Sequence, residues 1–435
     1  MQVSFVVLAI PFFLALIAIE QVITRRQGSR GLSVEDAVSN LGCGIVQQLV
    51  QLPVRTASFA AYLWVYGHLR LVSFPSTPWT WGLCFLGADF LAYGYHRMGH
   101  RVAVLWAAHE VHHQSEGLDL TVSLRVPALD YYYWAFDLPL AFLGFPPGMF
   151  LAVSSFVSIY GFSSHTRTIG RLGPLEWLFV TPSHHRLHHA SNREYLDRNY
   201  GKVLIVWDRI FGTFVKESEE PRYGLTVPLG SWNPLWANAR AFVELARRVR
   251  STARLRDRLR GLFLPPGWKP AGAYDSAPTS RPPAATLVPR IEAPRLYVTA
   301  QFLLAVVATI ALLNLRRQLA TPTFAACAVL VIATLATLGG LLDRRSWAGR
   351  AELLRVGVTA TLALLIVPTS PRAAVLELVF SAAALLWLTS PGNRRACRGR
   401  WAAVLRHPAV VEAPRAARSD RSARVAVYER ARRSA

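Results

Sequence analysis

The chain has 435 residues, of which 52% are hydrophobic and only 17% charged, against about 25% charged in ordinary globular domains. That balance excludes a disordered chain, a coiled coil and a collagen, and four scattered cysteines (Cys43, Cys84, Cys327, Cys397) exclude a disulfide scaffold and a CxxC metal or redox site. The net charge is +22, and all but three of the 48 basic residues are arginine; beside long apolar runs, that charge points to loops held against anionic lipid, with no nucleic-acid partner.

Residues 3–19 are apolar apart from Ser4 and lack a basic leader or a small-residue cleavage site, so they read as an uncleaved anchor helix. Arg25, Arg26 and Arg30 follow and place that end on the cytoplasmic side. Residues 41–66 read as a second span, interrupted by Pro53 and carrying Arg55. Residues 79–95 read as a third, opened by Trp79 and Trp81 at interface depth. Residues 131–164 hold Pro139, Pro146, Pro147 and Gly148 in their middle. Since one crossing takes about 20 residues, this stretch is expected to be a helical hairpin of two half-spans that enters and leaves on one side. No apolar run from 166 to 294 is long enough to cross, which predicts a cytoplasmic segment. A second membrane block follows at 296–313, 323–342, 353–367 and 373–388, with Asp343-Arg344-Arg345 and the tail on the cytoplasmic side. The expected organisation is a histidine-bearing membrane domain over 1–265, a Pro/Ala-rich linker over 266–295, a C-terminal transmembrane block over 296–390 and a disordered basic tail over 391–435. The fold class is an all-α integral membrane protein, a multi-span helical bundle with a cytoplasmic histidine-rich di-metal cap. The arginine bias suits a GC-rich bacterial genome and hence a bacterial inner membrane.

The twelve histidines are not scattered. His96 and His100 form an HxxxH; His109, His112 and His113 form an HxxHH; His185, His188 and His189 form a second HxxHH, preceded by His184; His165 stands alone between the boxes. On a helix, positions i, i+3 and i+4 share a face, so each box aims two or three imidazoles at one point. The topology brings all four groups to one membrane face, where ionisable residues mark function. His68 and His407 read as ordinary structural histidines. Eight or more imidazoles exceed the needs of one tetrahedral zinc and suit two metals with four or five nitrogen ligands each. Imidazole alone does not choose among iron, copper, nickel and zinc. His109-Glu110-Val111-His112-His113 also satisfies the H-E-x-x-H of zinc peptidases, but the second HxxHH carries Arg186 where the first has Glu110, so the acid is not part of the repeated logic.

These boxes, together with Asp89-x6-His96-Arg97, Leu175-Glu176, Thr181-Pro182-Ser183-His184-His185-Arg186, Asp197-x-Asn199-Tyr200-Gly201 and the run from Trp207 to Phe214, resemble the fatty acid hydroxylase/sterol desaturase superfamily of membrane di-iron enzymes. The likeness extends to its alkylglycerol monooxygenase branch through Tyr223-Gly224-Leu225-Thr226, Pro265-Pro266-Gly267-Trp268 and the extra membrane block bearing Asp343-Arg344-Arg345; shorter sterol oxidases lack such a block. The resemblance implies two Fe ions, held by His96, His100, His109, His112, His113, His165, His185, His188 and His189. It implies O2, a lipid substrate, and an electron donor, pterin or redox protein, that is tetrahydrobiopterin in the alkylglycerol branch. There the carbon beside the ether oxygen is hydroxylated, giving fatty aldehyde and glycerol. That branch has an acid directly after its HxxxH; Arg101 stands there in this chain, which bears on the pterin and the substrate. His184, Asp89, Glu110, Glu176, Asp197, Asn199 and Asp208 are candidates for a further ligand or for groups that orient the imidazoles by accepting their other N–H. The alternatives are a sterol, carotenoid or fatty acyl hydroxylase or desaturase of the same superfamily and, from another class, a non-catalytic metal-binding membrane scaffold.

Overall fold

The computed structural model describes residues 5–28, 31–130, 132–270 and 295–366, with 379, 381, 382 and 384–386. Among these residues the chain is helical and forms no strand beyond the isolated bridges Phe179–Leu204 and Ala190–Tyr223. Most of the expected span at 373–388, most of the linker and the tail lie outside the described residues.

The first helix, α1, is Phe5–Arg26, and its Phe13 ring stacks on Phe162 at 4.1 Å. The single span expected over 41–66 is two helices, α2 (Val34–Val50) and α3 (Leu52–His68), broken at Gln51. The physical reason is Pro53: it has no N–H, so it is tolerated in the first turn of a helix and not in its interior. The Ser33 hydroxyl caps α2 by accepting from Asp36 N at 3.0 Å. α2 also buries Ser39, Asn40 and Gln47, so it lines the interior of the molecule.

Thr77 and Thr80 make a reciprocal capping box at the start of α4 (Pro78–Arg101). This helix does not stop at Tyr95; it carries the HxxxH on its last turns, and α5 (Ala103–His113) follows after one residue. The expected hairpin is a 3₁₀ turn, Tyr133–Phe136, leading into the short α6 (Leu138–Leu143), then α7 (Pro147–Ser163). α8 (Pro182–His188) and α9 (Val206–Ile210) are short helices flanking the loop after the last histidine box. α10 (Pro234–Ser251) and α11 (Leu255–Phe263) close the first half. α12 (Arg295–Asn314), α13 (Thr321–Leu342) and α14 (Ala348–Ile366) follow, and α12 and α13 are long and apolar enough to cross a membrane.

The largest apolar cluster joins α2 to the C-terminal helices: Val38, Val46 and Leu49 pack with Val298, Phe302, Leu335 and Leu338. A second packs α3 and α4 on the hairpin through Tyr62, Cys84, Phe145 and Phe150. α10 is pinned to α13 by Asn233, whose Nδ2 donates to Ala336 O at 3.1 Å, and it packs on α5 through Ala241 and Leu245. The C-terminal helices thus reach the histidine-bearing α5 through α10.

Candidate metal centre

Four elements deliver the histidines: the end of α4, the end of α5, the residue just past Ser164 and the whole of α8. Nine imidazoles gather into two buried groups. His96, His100, His109, His113 and His188 form one, and His112, His165, His185 and His189 the other; within each group, one ring nitrogen per residue lies within 4.8 Å of all the rest. Each HxxHH box feeds both groups, since i and i+4 point one way and i+3 the other. The His113 and His189 rings, one from each group, stack at 4.5 Å.

Backbone carbonyls set the tautomers. His96 Nδ1 donates to Tyr200 O at 2.7 Å, His112 Nδ1 to Arg125 O at 3.1 Å, His165 Nδ1 to Gly161 O at 2.7 Å and His188 Nδ1 to Arg198 O at 2.9 Å. A carbonyl only accepts, so these rings are protonated at Nδ1 and keep a lone pair on Nε2. The Nε2 atoms of His96, His100 and His188 are buried with no hydrogen-bond partner among the described residues. Nε2 of His165 lies 3.1 Å from Nε2 of His112 and 3.0 Å from that of His185. The two lone pairs of His112 and His165 repel at that separation unless a cation lies between them. Buried polar atoms without partners are costly, and this donor set of converging neutral imidazoles fits divalent metal in both groups. Burial, with the neighbouring imidazoles, holds His109, His112, His113, His185, His188 and His189 well below the usual histidine range. Burial takes His165 down to about 3. The rings are therefore neutral, the form that binds metal.

The acids expected to orient these rings are placed differently. Asp197 alone of them faces a grouped imidazole: its Oδ1 lies 3.5 Å from His100 Nδ1, and its Oδ2 lies 3.6 Å from Arg101. Burial would raise the Asp197 pKa, but His100 and Arg101 outweigh it and hold the carboxyl below its ordinary range. Arg101, the departure from the branch's pattern, is thus the cationic partner of this carboxylate. Asp89 accepts from Val203 N (2.9 Å), Leu204 N (3.1 Å) and Trp207 Nε1 (2.9 Å). Asp208 accepts from Tyr200 N (2.8 Å), Gly201 N (2.7 Å) and the Thr213 hydroxyl (2.6 Å). Asn199 bridges His184 O and the backbone of Val215. These three hold the loop that carries the Tyr200 carbonyl, because a loop without regular structure must satisfy its buried N–H groups with side chains. Glu176 accepts from the Thr181 and Ser183 hydroxyls at the start of α8, and Glu110 accepts from Gln114 at 3.3 Å. His184 belongs to neither group; its ring packs on Phe214 at 5.5 Å.

Sequence reasoning missed Arg125. It is buried and donates to Val111 O, Ser39, Asn40 and Gln114 at 2.6–3.1 Å, while its own carbonyl orients His112. A carbonyl has no sequence signal, and a lone arginine after a loop carries none either. An apolar groove of about 430 Å³ runs between α4 and α7, lined by Trp81, Phe85, Val153, Phe156, Tyr160 and Val203.

Residues 81–213 match the fatty acid hydroxylase family model. The chain is 34% identical to the alkylglycerol monooxygenase of Xenopus tropicalis, over 79% of this chain and 78% of that protein, and 34% identical to that of Homo sapiens, over 80% of each. An ornithine lipid hydroxylase of Rhizobium tropici is 33% identical over 29% of this chain and 39% of its own length. No solved structure matches. The chain belongs to the fatty acid hydroxylase family, alongside the alkylglycerol monooxygenases, and is a lipid hydroxylase, an oxidoreductase acting on lipid.

Proposed function

We propose that this protein is an integral membrane di-iron monooxygenase that hydroxylates the carbon next to the ether oxygen of alkylglycerols. The observation that carries the reading is the pair of buried imidazole groups whose ring nitrogens converge, with Nε2 of His96, His100 and His188 lacking any hydrogen-bond partner among the described residues. The five-histidine group would hold one iron and the four-histidine group the other. When bound, the irons supply the activation of O2 that oxidation of an unactivated C–H requires.

The chain's own residues do the rest. The carbonyls of Tyr200, Arg125, Gly161 and Arg198 fix the ring orientations, and Asp197 does so for His100. The groove between α4 and α7 takes the alkyl chain and keeps water from it. In balance, the ether, O2, two electrons and two protons give the hemiacetal and water; the hemiacetal then breaks its C–O bond to fatty aldehyde and glycerol. Tetrahydrobiopterin is the proposed donor of the electrons. The spans α12 and α13 and the outward apolar residues of α4 (Trp79, Leu83, Leu86, Phe90) support a multi-pass membrane protein. Arg25 and Arg26 at the end of α1 favour a cytoplasmic position for the histidine groups.

The test is an assay of purified protein in detergent, fed an alkylglycerol and O2 with and without tetrahydrobiopterin, with fatty aldehyde read by mass spectrometry. Pterin-dependent aldehyde is the expected result. Iron at two per chain with no aldehyde moves the substrate to another lipid of the family's range; absence of iron from active protein sinks the di-iron assignment.

A further inference from the structure

The helix α11 has no part in the metal centre, yet its surface is unusual. Leu255, Leu259 and Phe263 are 69%, 51% and 62% exposed. At about 3.6 residues per turn they share one face. Arg256 and Arg260 border that face on one side and Arg258 on the other. Seven arginines lie between 247 and 260 against one acid, Asp257. The helix is seated on its neighbours by its other side and one flank: Gly261, nearly opposite the stripe, is buried, and Leu262, beside Leu255, packs with Ala103, Ala107 and Leu245 on α5 and α10.

An exposed apolar stripe flanked by arginines suits neither water nor the interior of a bilayer. It suits the boundary, where leucine and phenylalanine enter the acyl region and guanidinium groups meet lipid phosphate. The depth agrees. Leu264, directly after α11, accepts a hydrogen bond from Ala103 N at 3.0 Å, and Ala103 opens α5 just where α4 ends. α11 is thereby held beside the point at which α4 leaves the membrane under the proposed topology, on the face that carries the histidine groups.

We infer that α11 is an interfacial helix that seats its Leu255–Leu259–Phe263 face in an anionic lipid leaflet, with the arginines around it binding lipid phosphates. The inference rests on the proposed membrane topology. The occupant is a lipid surface and not an acidic protein, because the stripe continues a face that α4 has just brought to the bilayer boundary, and the positive charge is spread along both edges.

The test uses the full chain with Cys327→Ser and Cys397→Ser, in nanodiscs of phosphatidylcholine with phosphatidylglycerol. Cys43 and Cys84 are buried and stay unlabelled. A nitroxide is placed on Leu259→Cys, and in a separate protein on Val329→Cys, an exposed position of the span α13. Accessibility to lipid-soluble O2 is compared with accessibility to a water-soluble nickel chelate. The expected result is a label at 259 that favours O2, and that shifts toward nickel when Arg256→Gln and Arg260→Gln are added or when phosphatidylglycerol is omitted. A label at 259 in water while that at 329 is in lipid overturns the inference alone. Both labels in water overturn the membrane reading itself. A label at 259 shielded from both reagents means a protein covers the face, which also overturns it.

Discussion

A neutral imidazole offers one lone pair, and the Nδ1-to-carbonyl bonds decide where it points. His112 and His188 each have Nδ1 bound to a carbonyl and Nε2 aimed into a group. His112→Ala and His188→Ala are each expected to remove iron and abolish turnover while the protein still inserts into membranes; elemental analysis and membrane extraction check this, and full activity in either variant would sink the ligand assignment. Asp197→Asn is expected to cost about 10–100-fold in metal affinity or activity, as for other residues that orient a ligand, with Arg101→Ala milder because that side chain is 56% exposed. The pH dependence follows from the low pKa of the buried rings. The unfolded chain takes up protons near pH 6.5 and the folded one does not, so below about pH 6.5 the unfolded state binds more protons and stability falls as pH drops. Melting of the metal-free protein is expected to move down steadily from about pH 7 to pH 5; a flat profile would mean that the rings are not buried neutral.

At the level of elements, the loop between α8 and α9 matters as much as the helices that bear the grouped histidines. It hangs on Asp89 and Asp208, and its Tyr200 carbonyl orients His96. A Cβ on Gly201 would stand 2.8 Å from both Leu204 O and Val180 Cγ2 and 3.0 Å from Asp208 Oδ2, so only glycine allows this approach. Asp208→Ala leaves the buried N–H groups of Tyr200 and Gly201 without an acceptor, at about 1–3 kcal/mol for each group. Both Asp208→Ala and Gly201→Ala are expected to lower the melting temperature in detergent and to reduce iron content together; loss of stability with full iron would separate the loop from the centre.

For the whole molecule, the packing links the C-terminal helices to the metal centre. Gly339 of α13 meets the backbone of Asn233 at the start of α10; a Cβ there would lie 2.5 Å from Asn233 Cα. α10 in turn packs on α5. Gly339→Val is expected to cost about 1–3 kcal/mol as an overpacked contact and to loosen metal at a distance from any ligand. Truncation after residue 270 is expected to yield a protein that does not retain iron, since α2 loses its apolar partners on α12 and α13; a stable, iron-loaded truncation would show that the first half folds alone.

The sequence by itself determined which histidines stand as candidate metal ligands and their grouping into boxes, because i, i+3 and i+4 spacing on a helix converts directly into a shared face. It also determined the apolar runs and the break near Pro53, because backbone chemistry acts locally there. The division of nine histidines into a group of five and a group of four was decided only by the tertiary structure, since each HxxHH box splits between the two and the partners come from residues up to 92 positions apart, His96 and His188. Tertiary structure also decided that carbonyls orient most of the oriented rings and that Asp89, Asn199 and Asp208 serve the loop. A backbone acceptor is present at every residue, so nothing in a sequence marks the few that the fold brings to a ring.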